Sequence, residues 1–186
     1  DPPHKGISLL LVDADTPGCV RGRKLEKLGL PAQDTSEIFF EDCRIPRANL
    51  LGREGPGFKM LMEKLQQERL CIGISPVASC RRALDDTVAY VKQRRAFGQP
   101  IAAFQNTQFK LAELASEVEV GQAFVDKLLA AHVRGEDMVA GASMAKWWTT
   151  ELQKRLTSEC LQLHGGYGFM AGYPISGDHP AAAAPP

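Results

Sequence analysis

The sequence predicts an α+β chain that is mainly α: a β piece, then three long antiparallel helices of an up-and-down bundle. Three observations predict it. The stretches GISLLLVD (6–13) and SEIFFEDCRIP (36–46) have the alternating or aromatic-rich character of strands. From about Gly55 the apolar residues recur at helical spacing instead. The helical patterns then run for about 25 residues or more, beyond the three or four turns usual in globular proteins and suited to a bundle.

In the β piece, 6–46, Ile7, Leu9 and Leu11 alternate, and TPG (16–18) and LPAQD (30–34) supply turns. Pro46 is expected to end the last strand, because proline cannot donate to a ladder. The first helical stripe begins with Phe58, Leu61, Met62, Leu65 and Leu70 and continues through Leu84, Val88 and Val91 to the basic run QRR. Pro76 interrupts that pattern; it removes the hydrogen bond to the Ile72 carbonyl and is expected to kink the helix. FGQP (97–100) reads as a loop. A second helix is expected over about 104–132, with Leu111, Leu114, Val118, Phe124, Val125, Leu128 and Leu129 inward, and RGED (134–137) as a turn. A third is expected over about 138–163, with Trp148, Leu152, Leu156 and Leu163 on one face, stopped by the glycines of HGGYG. GDHPAAAAPP, from Gly177, has no apolar anchor beyond alanine and is expected to be disordered.

Composition narrows the function classes. The 186 residues are 44% apolar, so a core can be buried, and Lys+Arg and Asp+Glu are both 22. Zero formal charge argues against a nucleic-acid partner held by phosphate attraction. No apolar run approaches the roughly 18 residues of a membrane span, and no charged-then-apolar leader opens the chain. The opening DPPHKGISLLLVD reads as protein interior, so upstream sequence is expected. Cys19, Cys43, Cys71, Cys80 and Cys160 are an odd number without a CxxC pair, and read as free thiols in a reducing compartment. His4, His132, His164 and His179 have no metal-ligand spacing, and no metal is expected.

Taken singly, the candidate functional residues are weak signals. Glu68, in LQQERLCIG (65–73), is by pattern a solvated helix charge that Lys64 could pair with for a few tenths of a kcal/mol. Arg94–Arg95 suits the negative end of a helix dipole. Trp147–Trp148 reads as packing rather than as a cofactor contact.

Together the pieces say more. DTSEIFFEDCRIPRANLLGREGPGF, QERL, QRRAFGQPIAAFQNTQFKLAELA, MAKWW and CLQLHGGYGFM occur in the order and at the spacing of the acyl-CoA dehydrogenases, over about residues 5–174. QERL, AFVDKLL and MAKWW resemble the long-chain branch most. The resemblance implies that 1–53 is the second half of a β-barrel-like middle domain, that 54–176 holds three of the four helices of the C-terminal bundle, and that 177–186 is a tail. It implies FAD as cofactor, an acyl-CoA thioester as substrate, electron-transfer flavoprotein as acceptor, a homotetramer built as a dimer of dimers, and a bacterial cytoplasm or a mitochondrial matrix.

It also implies residue roles. In the long-chain and isovaleryl branches the catalytic glutamate lies on the first bundle helix immediately before an arginine, which Glu68–Arg69 matches. The base removes the α-proton and a hydride leaves Cβ for flavin N5. Burial beside an acyl chain raises a glutamate pKa and a neighbouring arginine lowers it, so Arg69 is expected to tune or orient Glu68, or to brace the helix. The RxxFG motif puts Arg94 and Phe97 on the FAD of a neighbouring subunit. Gln105 would bond the adenosine part, and Gln162 with the main chain of Gly165 and Gly166 would border the pyrophosphate.

Two departures stand beside this. The family's N-terminal domain and first β strands have no counterpart, and after Tyr173–Pro174 the run ISGDHPAAAAPP replaces the expected fourth helix and flavin loop. The chain is therefore expected to be part of a longer protein or to carry a shifted frame, and not to turn over substrate alone. The alternatives are an inactive remnant acting only as a helical dimerisation module, and a related flavoenzyme such as an acyl-CoA oxidase or a flavin monooxygenase.

Overall fold

A computed structural model describes residues 2–27, 29–30 and 32–178. The chain divides into two compact units, Asp1–Leu65 and Gln66–Pro186.

The first unit carries short antiparallel pairs. β1 (Leu9–Leu10) pairs with β4 (Leu50–Leu51), Leu9 opposite Leu51. β2 (Cys19–Lys24) pairs with β3 (Ser36–Phe40), Val20 opposite Phe39, with a register shift between Arg21 and Lys24. Pro46 does not close the β region as expected. The β2–β3 pairing stops at Phe40, Asp42 has a positive φ of 46°, and Pro46 instead caps a 3-10 turn, Arg47–Asn49, that leads into β4. Of the expected turn at 30–34, Pro31 lies outside the described residues.

α1 (Gly57–Gln93) begins in this unit and continues into the second. It runs unbroken through Pro76, which is buried. Proline forfeits one hydrogen bond there, but the helix does not end, because Leu70 and Val77 on either side are sealed into the core.

In the second unit α1 is joined by α2 (Gln105–Val133) and α3 (Val139–His164). The linker after α1 is more than the expected loop: β5 (Arg95–Ala96) and β6 (Gln99–Pro100) form a hairpin. The core joins Cys80, Ala83 and Leu84 of α1, Leu114 and Val118 of α2, and Leu152, Leu156 and Cys160 of α3. A second cluster joins Leu70, Leu128, Met138 and Ala145. Early α1 thus meets late α2, and late α1 meets early α2, so these helices are antiparallel. α1 and α3 run parallel: Arg69 reaches Ser143, Gln153 reaches Ser79, and Tyr90 reaches His164. A Cβ on Gly73 would meet the Ala145 methyl at 3.2 Å, so these two helices touch closely. Each fully buried leucine, such as Leu114 or Leu156, contributes about 1.5–3 kcal/mol of burial.

The expected inward sets are met at Leu114, Val118, Val125, Leu128, Leu152 and Leu156. Leu129 is the exception at 44% exposed. It follows Leu128 by about 100° around the helix and turns off the packed face. Phe58, Leu61 and Met62 of the first stripe are also exposed. A short α4 (Pro174–Asp178) follows α3 and seals Ile175 into the core. The tail expected from Gly177 begins in α4, and its residues 179–186 lie outside the described residues. Among the described residues no helix is long and apolar enough to cross a membrane.

Candidate active site

Parallel α1 and α3 bring their C-terminal ends together, and a cleft of about 640 Å³ opens between those ends and the β5–β6 hairpin. It is lined by Arg94, Phe97, Gln162, Gly165 and Gly166, residues that lie far apart in sequence. Gln105 does not line it; it is exposed at the first position of α2.

Local geometry explains each placement. The Ile101 N–H donates to the Arg94 carbonyl at 2.8 Å and closes the hairpin loop. At its tip Phe97 (φ 51°) and Gly98 (φ 81°) both have positive φ, as a tight two-residue hairpin turn requires. Glycine adopts this freely; phenylalanine does so at a cost of order 1 kcal/mol. The Phe97 ring is 96% exposed, touching the Phe104 ring edge-on at 6.3 Å. Gly165 ends α3 with φ 59°, and its N–H donates to the Gln162 carbonyl. Its main chain therefore offers close approach rather than a free donor.

The cleft wall is aromatic. Tyr90 stacks on His164 with centroids 4.2 Å apart, and its hydroxyl donates to the His164 carbonyl at 3.1 Å. His164 is buried, with Nδ1 2.9 Å from the Cys160 carbonyl. Burial pushes the Tyr90 phenol up, against the opposing influence of the Arg94 charge. The Arg94 guanidinium lies over the Tyr167 ring, 5.0 Å from its centroid. Tyr90, His164, Phe104 and Tyr167 are site residues that the sequence analysis does not point to. Tyr90 carried one usable signal, its position four residues before Arg94 on the same helix face.

Glu68 and Arg69 lie elsewhere on α1. Glu68 is exposed, and among the described residues no ion pair or hydrogen bond holds its carboxylate, so the pair with Lys64 does not form. Arg69 points to α3: its Nη1 donates to Ser143 Oγ at 2.9 Å, and Ser143 in turn donates to the Val139 carbonyl. Of the roles open to Arg69, bracing α1 against α3 is the one its contacts serve. About 25 residues of helix separate Glu68 from Arg94, or about 40 Å at 1.5 Å per residue.

The donor set of the cleft fits a diphosphate-bearing ligand: a guanidinium, an amide, a glycine pair that admits close approach and an exposed aromatic ring. Among the described residues no group of three or more His, Cys, Asp or Glu is placed to hold one.

Comparison with known proteins gives this architecture a family. Residues 55–181 match the model for the acyl-CoA dehydrogenase C-terminal domain. The mouse mitochondrial long-chain specific acyl-CoA dehydrogenase is 49% identical over 174 residues, 94% of this chain and 40% of the relative. The crystal structure of an acyl-CoA dehydrogenase from Geobacillus kaustophilus superposes with a TM-score of 0.91 at 53% identity, over 99% of this chain and 48% of that one. An acyl-CoA dehydrogenase from Bacillus anthracis, solved in complex with FAD, has a TM-score of 0.79 at 28% identity, over 94% of this chain and 33% of that one. The chain thus spans less than half the length of the relatives it matches.

Proposed function

The chain belongs to the acyl-CoA dehydrogenase family, and on that premise we propose that it forms the base-bearing and cofactor-bordering part of an enzyme that dehydrogenates acyl-CoA thioesters between Cα and Cβ. Residues 1–53 then belong to the middle β domain and 54–176 to the bundle. The single observation that carries this reading is the convergence of Arg94, Phe97, Gln162, Gly165 and Gly166 on one cleft.

Glu68 is the base. Among the described residues its carboxylate has no ion pair or hydrogen bond, and it takes the α-proton, while Arg69, tied to Ser143, fixes the backbone of the helix that carries it. FAD supplies, when bound, the two-electron acceptor for the hydride from Cβ. Arg94 offers its planar fork to a diphosphate, Gln162 adds an amide, Gly165 and Gly166 let the main chain approach, and Phe97 covers an apolar part of the ligand. Gln105 serves the adenosine end.

The separation of about 40 Å between Glu68 and Arg94 supports a division of labour. The base of one chain and the cleft of the same chain serve different cofactor molecules, so a second copy completes each site. Electron-transfer flavoprotein is the proposed acceptor, in a bacterial cytoplasm or a mitochondrial matrix.

The test begins with the visible spectrum and solution mass of the purified protein. Bound oxidised flavin in a dimer or larger is expected. In a flavin-loaded version restored to full length, Glu68→Gln is expected to retain the flavin and bind acyl-CoA, with turnover reduced by about 10²–10⁴. Undiminished turnover removes Glu68 as the base.

A further inference from the structure

Among the described residues Arg94 is the one arginine or lysine that lines the cleft, and it is exposed. Among the described residues it makes no ion pair. A long side chain in that setting ordinarily samples many rotamers, and binding must then meet an ordering cost of up to about 2 kcal/mol. Here its guanidinium is already placed, 5.0 Å from the centroid of Tyr167.

The ring beneath it is itself held. Tyr167 lies 5.2 Å from the Tyr173 ring, and Tyr173 meets Tyr90 edge-on at 6.0 Å. Tyr90 is fixed on α1, four residues before Arg94, and bonded to the end of α3. The aromatic chain therefore leaves α1 at Tyr90 and returns just past its end, beneath Arg94. A cation over a ring face is attracted by the ring quadrupole while keeping its N–H donors for another partner. An acidic residue in that place would hold Arg94 as firmly but would consume the donors and cancel the charge.

We propose that Tyr167 is a positioning residue that holds the Arg94 guanidinium at the cleft with its donors free for the diphosphate of a nucleotide. This rests on the reading of the cleft as a diphosphate site, and the experiment separates the two. The probes are ADP, titrated onto the full chain by calorimetry, and the NMR signals of the Arg94 side chain, which a ring beneath it displaces.

The wild type is expected to bind ADP and show ring-shifted Arg94 signals. Tyr167→Phe keeps the ring and is expected to preserve both. Tyr167→Leu is expected to lose the shift and weaken ADP by about fivefold, with helical circular dichroism unchanged because Tyr167 is 40% exposed. Arg94→Ala is expected to abolish binding. ADP binding that is lost in Arg94→Ala but unchanged in Tyr167→Leu overturns the positioning role alone. Binding that Tyr167→Phe weakens as much as Tyr167→Leu overturns it too, since the ring would then be irrelevant. Absence of ADP binding by the wild type overturns the diphosphate site, and the inference with it.

Discussion

Tyr90 and His164 join the ends of α1 and α3 twice over: their rings stack at 4.2 Å and 18°, and the Tyr90 hydroxyl donates to the His164 carbonyl at 3.1 Å. The next residue is Gly165, where α3 stops. Whatever the cleft binds, the placement of Gln162 and the glycine pair depends on this clamp.

Tyr90→Phe removes the hydroxyl and keeps the stack. A hydrogen bond of this kind is worth about 1 kcal/mol, which in a chain of this size lowers the thermal midpoint by about 3 °C. Tyr90→Leu, which loses the ring as well, is expected to fall further. Equal midpoints for all three proteins in a thermal melt would contradict the clamp.

Phe97 holds a conformation that glycine or asparagine adopts more easily, with its ring in solvent. Phe97→Asn therefore relieves backbone strain at the loss of one edge-on contact with Phe104. Stability is expected to rise by up to about 1 kcal/mol in chemical denaturation, while flavin retention falls if the ring covers the cofactor. A variant less stable than the wild type would show that the turn is not strained.

Arg94→Ala exchanges an exposed side chain, so stability is expected to stay within about 0.5 kcal/mol of the wild type. Flavin content after gel filtration is the quantity expected to drop. Unchanged flavin content would return Arg94 to the role of a solvated helix end.

The buried thiols make a prediction about alkaline pH. Burial pushes the Cys80 thiol from 9.0 up to about 12, and Cys160, beside it, is also raised. A raised pKa means that the folded state holds the proton more tightly than the unfolded chain. The stabilisation is complete below about pH 9 and is lost as pH climbs from about 9 towards about 12. Denaturant midpoints measured across that window are expected to fall, with the raised Tyr90 phenol acting in the same direction. A thiol reagent at pH 8 is expected to modify exposed Cys71 first, and Cys80 and Cys160 only after unfolding. Rapid modification of all five in the native protein would contradict the burial.

The helices were legible because their pattern is local. Leu114, Val118, Val125 and Leu128 recur at 3.6-residue spacing, and the structure buries all four. Leu129 and Pro46 show where local pattern gives out. An apolar residue adjacent to a core position reads as core until the neighbouring helix settles the face. A proline compatible with ending a strand is equally compatible with opening a 3-10 turn before the next one. The hairpin at 95–100 escaped because two-residue strands carry no periodicity, and because phenylalanine is a poor signal for positive φ.

The sequence alone determined the helix spans, the glycine stop after His164 and the family resemblance, since each rests on residue type and spacing along one segment. The tertiary structure decided which segments meet. Arg94 faces Gln162 and Gly165 because α1 and α3 run parallel in a register set by close contacts such as Gly73 against Ala145. That same register turns Arg69 to Ser143, while Glu68 has no partner among the described residues. Interdigitation between helices is a property of two surfaces at once, and neither surface's period contains it.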